Sequence, residues 1–278
     1  MNTQILDGRL TAGKVLESVA SEAAVFYGEY GRQPGLAVIH AGDDAASTVY
    51  VKNKAKACEK CGIDFTLVNL PSSITLDDLL TEIDKLNNKP ECDGLIVQLP
   101  LPSKDMDESL VINRINVEKD VDGFHPQTIG NLWSGSGEIA PCTPAGVMRL
   151  LDQYDIELKG KQAVIVGRSN IVGKPMAALL LQRHATVTIA HSRTKDLEDL
   201  CRQADILVAA VGRPGMIRGS FIKSGAVVVD VGINRITPLN AEKRWLDPET
   251  PTGRKLAKKG STLVGDVDPL EVYGRAAY

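Results

Sequence analysis

The chain has 278 residues, enough for two domains of ordinary size. It is 43% hydrophobic and 24% charged with a formal net charge of −3, so nothing in its composition calls for nucleic acid or an anionic membrane as partner. No apolar run approaches bilayer-spanning length, the opening MNTQILDGRL is no signal peptide, and five cysteines without framework spacing favour a reduced, cytoplasmic setting.

Residues 11–27 predict a helix, with Ala12, Val15, Leu16, Val19, Ala20, Ala23 and Phe26 on one face. Residues 36–40 (LAVIH) read as a buried strand, residues 47–61 as a second helix closed by Gly62, and residues 65–70 as a second strand. Thr75 is the expected N-cap of a third helix, with Asp77 and Asp78 in its first turn. A third strand runs into Gln98, Leu99 and Pro100, so the first hundred residues alternate α and β. Cys58 and Cys61 form a lone C-x-x-C, and with no second Cys or His pair at metal spacing the better reading is packed thiols.

Leu99-Pro100-Leu101-Pro102 predicts a stiff extended exit. A short helix near residues 107–115 leads to the loop Lys119-Asp120-Val121-Asp122-Gly123. Pro141-Cys142-Thr143-Pro144 opens a helix over residues 147–154, where the domain junction is placed.

The second half is organised around residues 164–175 (VIVGRSNIVGKP): a β-branched run, a glycine turn, then a helix-forming stretch. Strand, glycine turn and helix open a dinucleotide fold, with helix N–H groups free to meet a pyrophosphate. The spacing is G-x-S-x-x-x-G and not G-x-G-x-x-G, so an ordinary strand-to-helix turn competes with it. The next strand, residues 185–190, ends in His191-Ser192-Arg193-Thr194. No acid stands where an NAD-binding unit holds the ribose 2′-OH; Ser192, Arg193 and Arg168 suit a 2′-phosphate, which points to NADP. Further apolar strands end at Gly212 and Gly232, as a parallel sheet buried on both faces requires. Residues 234–261 are polar and proline-containing and read as an exposed excursion before a last strand and loop at residues 262–268.

Tyr50 and Lys54 share a helix face at i, i+4, and a lysine beside a tyrosine hydroxyl in a cleft can act as acid or base; a solvated lysine is the competing reading. Gln98 stands at the carboxyl end of a strand, where α/β sheets gather ligand groups. Asp122 can take the N–H edge of a heterocycle, whereas Asp120 reads equally well as a turn aspartate bonding its own backbone. The four histidines show no ligand spacing, so no metal is expected.

Together these segments resemble the bifunctional methylenetetrahydrofolate dehydrogenase/methenyltetrahydrofolate cyclohydrolase (FolD) family over nearly the whole chain. The matching motifs are Y-V-x-x-K at Tyr50–Lys54, D-G-x-x-V-Q-L-P-L-P at Asp93–Pro102, K-D-V-D-G at Lys119–Gly123, and P-C-T-P at Pro141–Pro144. V-G-R-S-x-I-V-G-x-P at Val166–Pro175 and G-D-V-D at Gly265–Asp268 complete the series. The resemblance implies two α/β domains, the second a Rossmann-type NADP-binding domain with a parallel sheet, and an active-site cleft between them. Residues 1–146 would form the folate-binding catalytic domain, with residues 268–278 returning to it, and residues 147–267 the nucleotide domain.

The resemblance further implies NADP-dependent oxidation of 5,10-methylenetetrahydrofolate and hydrolysis of the methenyl product to 10-formyltetrahydrofolate, in one-carbon metabolism and purine biosynthesis. By the same resemblance Lys54 is the acid/base group, Tyr50 lies at the folate ring, Gln98 tunes Lys54, Val97 and Leu99 line the pocket, and Asp122 anchors the pterin. Gly167, Arg168, Ser169, Ser192 and Ile233 would hold NADP, and the enzyme would be a homodimer. The family normally continues past the G-D-V-D segment into a T-P-V-P-G-G-V-G-P-M-T loop and a closing helix, which this sequence lacks. Two competing readings follow: a non-catalytic folate- or nucleotide-binding relative, and a dehydrogenase without the hydrolase step. Tyr50, Lys54, Gln98 and Asp122 speak against the first, and Lys54 against the second.

Overall fold

The structure, a computed structural model, describes residues 3–278 apart from the side chains of Ala45 and Ala46. It divides into two compact units, one of residues 7–142 and one that joins the N-terminal residues up to Leu6 with Thr143–Tyr278.

The first unit opens with α1 (Gly8–Tyr30), then β1 (Gly35–Ala41), α2 (Ala45–Cys61), β2 (Asp64–Leu70), α3 (Leu76–Asn87) and β3 (Gly94–Val97), followed by α4 (Glu108–Arg114) and α5 (Pro126–Ser134). Each early helix starts on a side-chain cap. Asp7 accepts from the Arg9 and Leu10 N–H groups, Asp44 from Ser47 and Thr75 from Asp78, as capping chemistry requires. α1 and α2 end on left-handed glycines, Gly31 and Gly62.

The three strands form one parallel sheet in the order β2-β1-β3. Ile39, Leu95 and Val97 face a core with Leu79, Ile83 and Val111, from α3 and α4. Val38 and Ile96 face the other way, onto Val51 of α2. A bidentate pair, Arg32 Nη1 and Nη2 to Asp93 at 2.7 Å each, ties the start of β1 to the start of β3, and the same carboxylate accepts from Gly35 N–H at 2.7 Å. α1 packs outside this sandwich, against α2, so its apolar face is only partly covered. Ala23 is buried, whereas Val15, on the face expected to be buried, is 38% exposed.

The second unit contains α6 (Cys142–Gln153, whose first residue belongs to the other unit), β4 (Gln162–Val166), α7 (Gly173–Gln182), β5 (Thr186–Ala190), α8 (Leu197–Cys201), β6 (Ile206–Ala209) and β7 (Val227–Asp230). The chain then makes β8 (Asn234–Ile236), α9 (Pro251–Lys259), β9 (Thr262–Val264) and α10 (Pro269–Val272). β4 to β7 form a parallel sheet in the order β5-β4-β6-β7, with the strand order reversing beside β4. Alternate residues bury both faces, as the continuous apolar runs predict. Ala163, Ile165, Ile206 and Val208 meet Leu151, Met176 and Leu180, while Val164, Val166, Leu207 and Ala209 meet Cys201, Ile217 and Ile222.

Two expectations are corrected. Residues 268–278 do not return to the first domain. Val272 and Ala276 are buried in the second unit's core, and the chain end lies along the edge of its sheet, where Ala277 N donates to Ala226 O at 2.9 Å and Val228 N to Tyr278 O at 3.0 Å. Residues 3–6 extend this edge, with Gln4 N donating to Ala277 O at 2.9 Å. Without the chain end, the Val228 N–H of β7 and the Ala226 carbonyl just before it would lie on an open sheet edge.

Residues 234–261 are not a plain exposed excursion either. β8 and β9 pair antiparallel, and Ile236, Trp245 and Leu256, each at most 2% exposed, form a core of their own. Three apolar residues scattered through a charged stretch leave no periodic signal, yet the fold gathers them. Trp245→Ala is expected to cost about 3 kcal/mol in a denaturant melt. A loss under about 0.5 kcal/mol, the size of an ordinary surface change, would return the segment to an exposed loop.

All five cysteines are free; Cys58 and Cys61 are buried, and burial pushes the Cys58 thiol up, as for inert packed thiols. Among the described residues no helix is long and apolar enough to cross a membrane, and no group of three His, Cys, Asp or Glu side chains is placed to hold a metal.

Candidate active site

The candidate residues fall into two constellations, one in each unit. In the first, Lys54 Nζ donates to Gln98 Oε1 at 3.0 Å. The position follows from the fold. Lys54 sits one turn past Val51, which packs on Val38 and Ile96, and Gln98 continues the β3 face that carries Ile96. Gln98 is held at both ends, since its backbone N–H donates to Ile39 O at 2.9 Å and its amide Nε2 to Leu99 O at 3.0 Å. Its Oε1 is therefore turned to Lys54, not free to rotate away. Tyr50 lies one turn before Lys54 on α2 and is 49% exposed. Val97 points to the opposite side of the strand and is 6% exposed in the core, and Leu99 packs against the same cluster.

The loop after α4 separates the two aspartates. Asp120 is buried and bonds its own loop: its carboxylate accepts from the N–H groups of Gly123, Phe124 and His125 and from Thr128 Oγ1 at 2.7 Å. All these bonds hold the loop shut, which settles the turn reading for Asp120. Among the described residues no backbone N–H donates to the Asp122 carboxylate. Burial pushes its carboxyl above the ordinary carboxylate range, the Lys54 ammonium pulls it back, and the Asp120 carboxylate pushes it further up.

Gly123 is obligatory here, with φ +73° and an added Cβ lying 2.8 Å from Pro141 N. That close approach brings Cys142 over the loop, its Sγ 3.8 Å from Val121 O and 4.0 Å from Asp122 Oδ1. Cys142 as a residue is exposed, yet its thiol is pushed up, first by the protein packed around the sulfur and then by Asp122. Residue-by-residue reading missed this neighbour; only the P-C-T-P motif marked it.

In the second unit Gly167 ends β4 with φ +135°, and an added Cβ would lie 2.2 Å from Ala210 O. A Cβ on Gly173 would lie 2.2 Å from Gly167 O, so both glycines let α7 start hard against the strand exit. Ser169 Oγ accepts from the N–H groups of Val172 at 3.1 Å and Gly173 at 3.3 Å, fixing the turn. Among the described residues the backbone N–H groups of Arg168, Ser169, Asn170 and Ile171 make no hydrogen bond within the chain. A run of free donors ahead of a helix N-terminus fits a pyrophosphate, so the turn can hold a dinucleotide.

Arg168 is exposed and pairs with no carboxylate among the described residues. Ser192 and Arg193 stand exposed just past β5, and Ile233, 65% exposed, follows Gly232 past β7. β4, β5, β6 and β7 all point their carboxyl ends at this side of the sheet, the usual ligand side.

The family models agree with this division. Residues 6–122 match the tetrahydrofolate dehydrogenase/cyclohydrolase catalytic domain, and residues 141–278 match the NAD(P)-binding domain of the same family. The chain belongs to the tetrahydrofolate dehydrogenase/cyclohydrolase family. The bifunctional protein FolD of Dichelobacter nodosus is 47% identical over 273 residues, covering 98% of this chain and 94% of that relative. FolD of Moorella thermoacetica is 55% identical over 236 residues, 85% of this chain and 84% of that relative.

Among solved structures, the FolD methylenetetrahydrofolate dehydrogenase/cyclohydrolase of Campylobacter jejuni superposes with a TM-score of 0.88 at 42% identity, covering 99% of this chain and 90% of that one. The Trypanosoma brucei FolD, solved with NADP cofactor and an inhibitor, also superposes with a TM-score of 0.88, at 37% identity over 100% of this chain and 90% of that one.

Proposed function

We infer that the chain is a bifunctional, NADP-dependent methylenetetrahydrofolate dehydrogenase and methenyltetrahydrofolate cyclohydrolase. The observation that carries the chemistry is the Lys54–Gln98 pair beside Asp122, on a family match that spans both units. The non-catalytic reading is not favoured, because both the reactive group and the dinucleotide turn are intact in geometry.

NADP, when bound, supplies the hydride acceptor for oxidation of the methylene carbon. Gly167, Arg168 and Ser169 would take its pyrophosphate side and Ser192 its 2′-phosphate, with Ile233 beside it. Tyr50 and Asp122 would orient the folate, Asp122 through the N–H edge of the pterin, so that the reacting carbon is presented in one geometry. Loss of hydride leaves that carbon in a cationic methenyl bridge. Water adds to it and gives up one proton to Lys54; the hydroxyl left on the carbon then becomes the formyl carbonyl, its proton passing to N5 as the bond from this carbon to N5 breaks. The formyl group remains on N10. Gln98 holds the Lys54 amine on the substrate side throughout.

The same reading carries a homodimer in a cytoplasmic setting, which light scattering of the purified protein tests for the oligomer. The activities are tested separately by absorbance. Methylenetetrahydrofolate with NADP is expected to give NADPH, and methenyltetrahydrofolate alone is expected to decay faster than in buffer. NADP binding without either turnover would support the binding-protein alternative instead.

Asp122 gives the reading a pH signature. Its folded pKa is raised, so the charged form is lost on acidification sooner than for an ordinary aspartate. KM for methylenetetrahydrofolate is expected to climb while ordinary aspartates are still ionised, and Asp122→Asn to remove that dependence while weakening binding about tenfold or more. A raised acid favours the folded state below its unfolded pKa and loses that contribution as pH rises through the folded value. Asp122→Asn is therefore expected to raise stability at neutral pH. A variant that loses stability there and keeps a wild-type KM profile would remove Asp122 from the pterin.

A further inference from the structure

Asp266 is wholly buried in the second unit, and its carboxylate gathers four donors. Oδ2 accepts from the N–H groups of Val211 at 2.6 Å and Gly212 at 3.0 Å. Oδ1 accepts from Arg213 N–H at 2.8 Å and Asn234 Nδ2 at 2.8 Å. Three successive backbone donors of the loop after β6 thus converge on one side chain. That loop touches the dinucleotide turn at its base, where Ala210 O occupies the space a Cβ on Gly167 would need. Asp266 also reaches the exit of β7. A Cβ on Gly232 would lie 2.3 Å from the Asp266 carboxyl carbon, and Ile233 is the next residue. Asp230, at the end of β7, accepts from Asp266 N–H at 2.9 Å and Val267 N–H at 3.0 Å, which fixes the segment carrying Asp266 in turn.

The sheet order gives this cluster a direction. With Ser192 and Arg193 past β5 taking the 2′-phosphate end, a dinucleotide centred on the β4 turn must run its other half over β6 and β7. We propose that Asp266 is a positioning residue for hydride transfer, holding the Val211–Arg213 loop and Ile233 as the seat of the nicotinamide half of NADP. This rests on the NADP-dependent reading above. A shift of that seat by a fraction of an ångström would misplace the ring while leaving the adenosine half anchored on Arg168 and Ser192.

Asp266→Asn is the informative substitution. The volume is unchanged, but one carboxylate oxygen becomes an amide that can only donate, facing backbone N–H groups that also donate, so the loop must move. Three quantities are measured on the purified protein: dehydrogenase kcat, cyclohydrolase rate, and affinity for adenosine 2′,5′-bisphosphate, which carries only the adenosine half. The expected result is a fall of about tenfold or more in dehydrogenase kcat, with the other two within about twofold. A dehydrogenase kcat within about twofold of the parent overturns the proposal, as does a parallel fall in all three, which marks a merely structural role.

Should Asp266→Asn fail to fold, Asn234→Ala removes one donor and leaves the three backbone bonds. A selective fall of a few-fold in dehydrogenase kcat is then expected, and no selective fall overturns the proposal. If the parent protein shows no dehydrogenase activity at all, it is the NADP reading that fails.

Discussion

Lys54→Ala is expected to lower the rate of methenyltetrahydrofolate hydrolysis by about a hundredfold or more, while NADPH formation falls by less than about tenfold. The asymmetry follows from what each step asks of the amine. Hydrolysis needs a group that takes a proton from water as it attacks a cationic carbon. Hydride transfer moves no proton and ends with a positive charge on the substrate, so it asks nothing of the amine. Lys54→Arg sharpens the test, because a guanidinium keeps the charge and the hydrogen-bonding reach but cannot serve as a base. It should hydrolyse as poorly as the alanine variant. Near-normal hydrolysis in either variant, with the protein folded, would move the proton transfer to another group.

The double variant Arg168→Ala/Ser192→Ala is expected to raise KM for NADP by about tenfold to a hundredfold and KM for NAD by less than about threefold. Both side chains are exposed at strand exits on the ligand side of the sheet, and Arg168 is committed to no carboxylate among the described residues. Its charge is thus available to a 2′-phosphate, the only group by which the two cofactors differ. Because the site is open, the preference should also shrink as salt is raised. Equal losses for NADP and NAD would show that these residues hold the shared pyrophosphate and not the 2′-phosphate.

The elements that position this chemistry are legible in the sequence because each has a local cause. Thr75 caps its helix as its neighbours predict, the runs ending at Val166 and Ala209 read as strands buried on both faces, and Gly167 marks the turn. Lys54 and Gln98 lie far apart in sequence, so their contact is invisible to spacing, and only the parallel pairing of β1 with β3 under α2 makes it.

The division of labour between Asp120 and Asp122 is likewise a matter of which one finds N–H partners, which the turn decides and the composition does not. The ribbon and small core around Trp245, and the packing of residues 268–278 on the second unit, depend on long-range contacts with no periodic trace. Asp266 is hidden for the same reason: it appears in a motif, but its four donors come from two other stretches of chain.

The most direct measurement is a product balance on the purified protein given methylenetetrahydrofolate and NADP. NADPH and 10-formyltetrahydrofolate should accumulate in equal amounts, with methenyltetrahydrofolate never building up beyond a small steady level. NADPH formation that ends in methenyltetrahydrofolate, decaying no faster than in buffer, would contradict the role of the Lys54–Gln98 pair and leave a dehydrogenase alone.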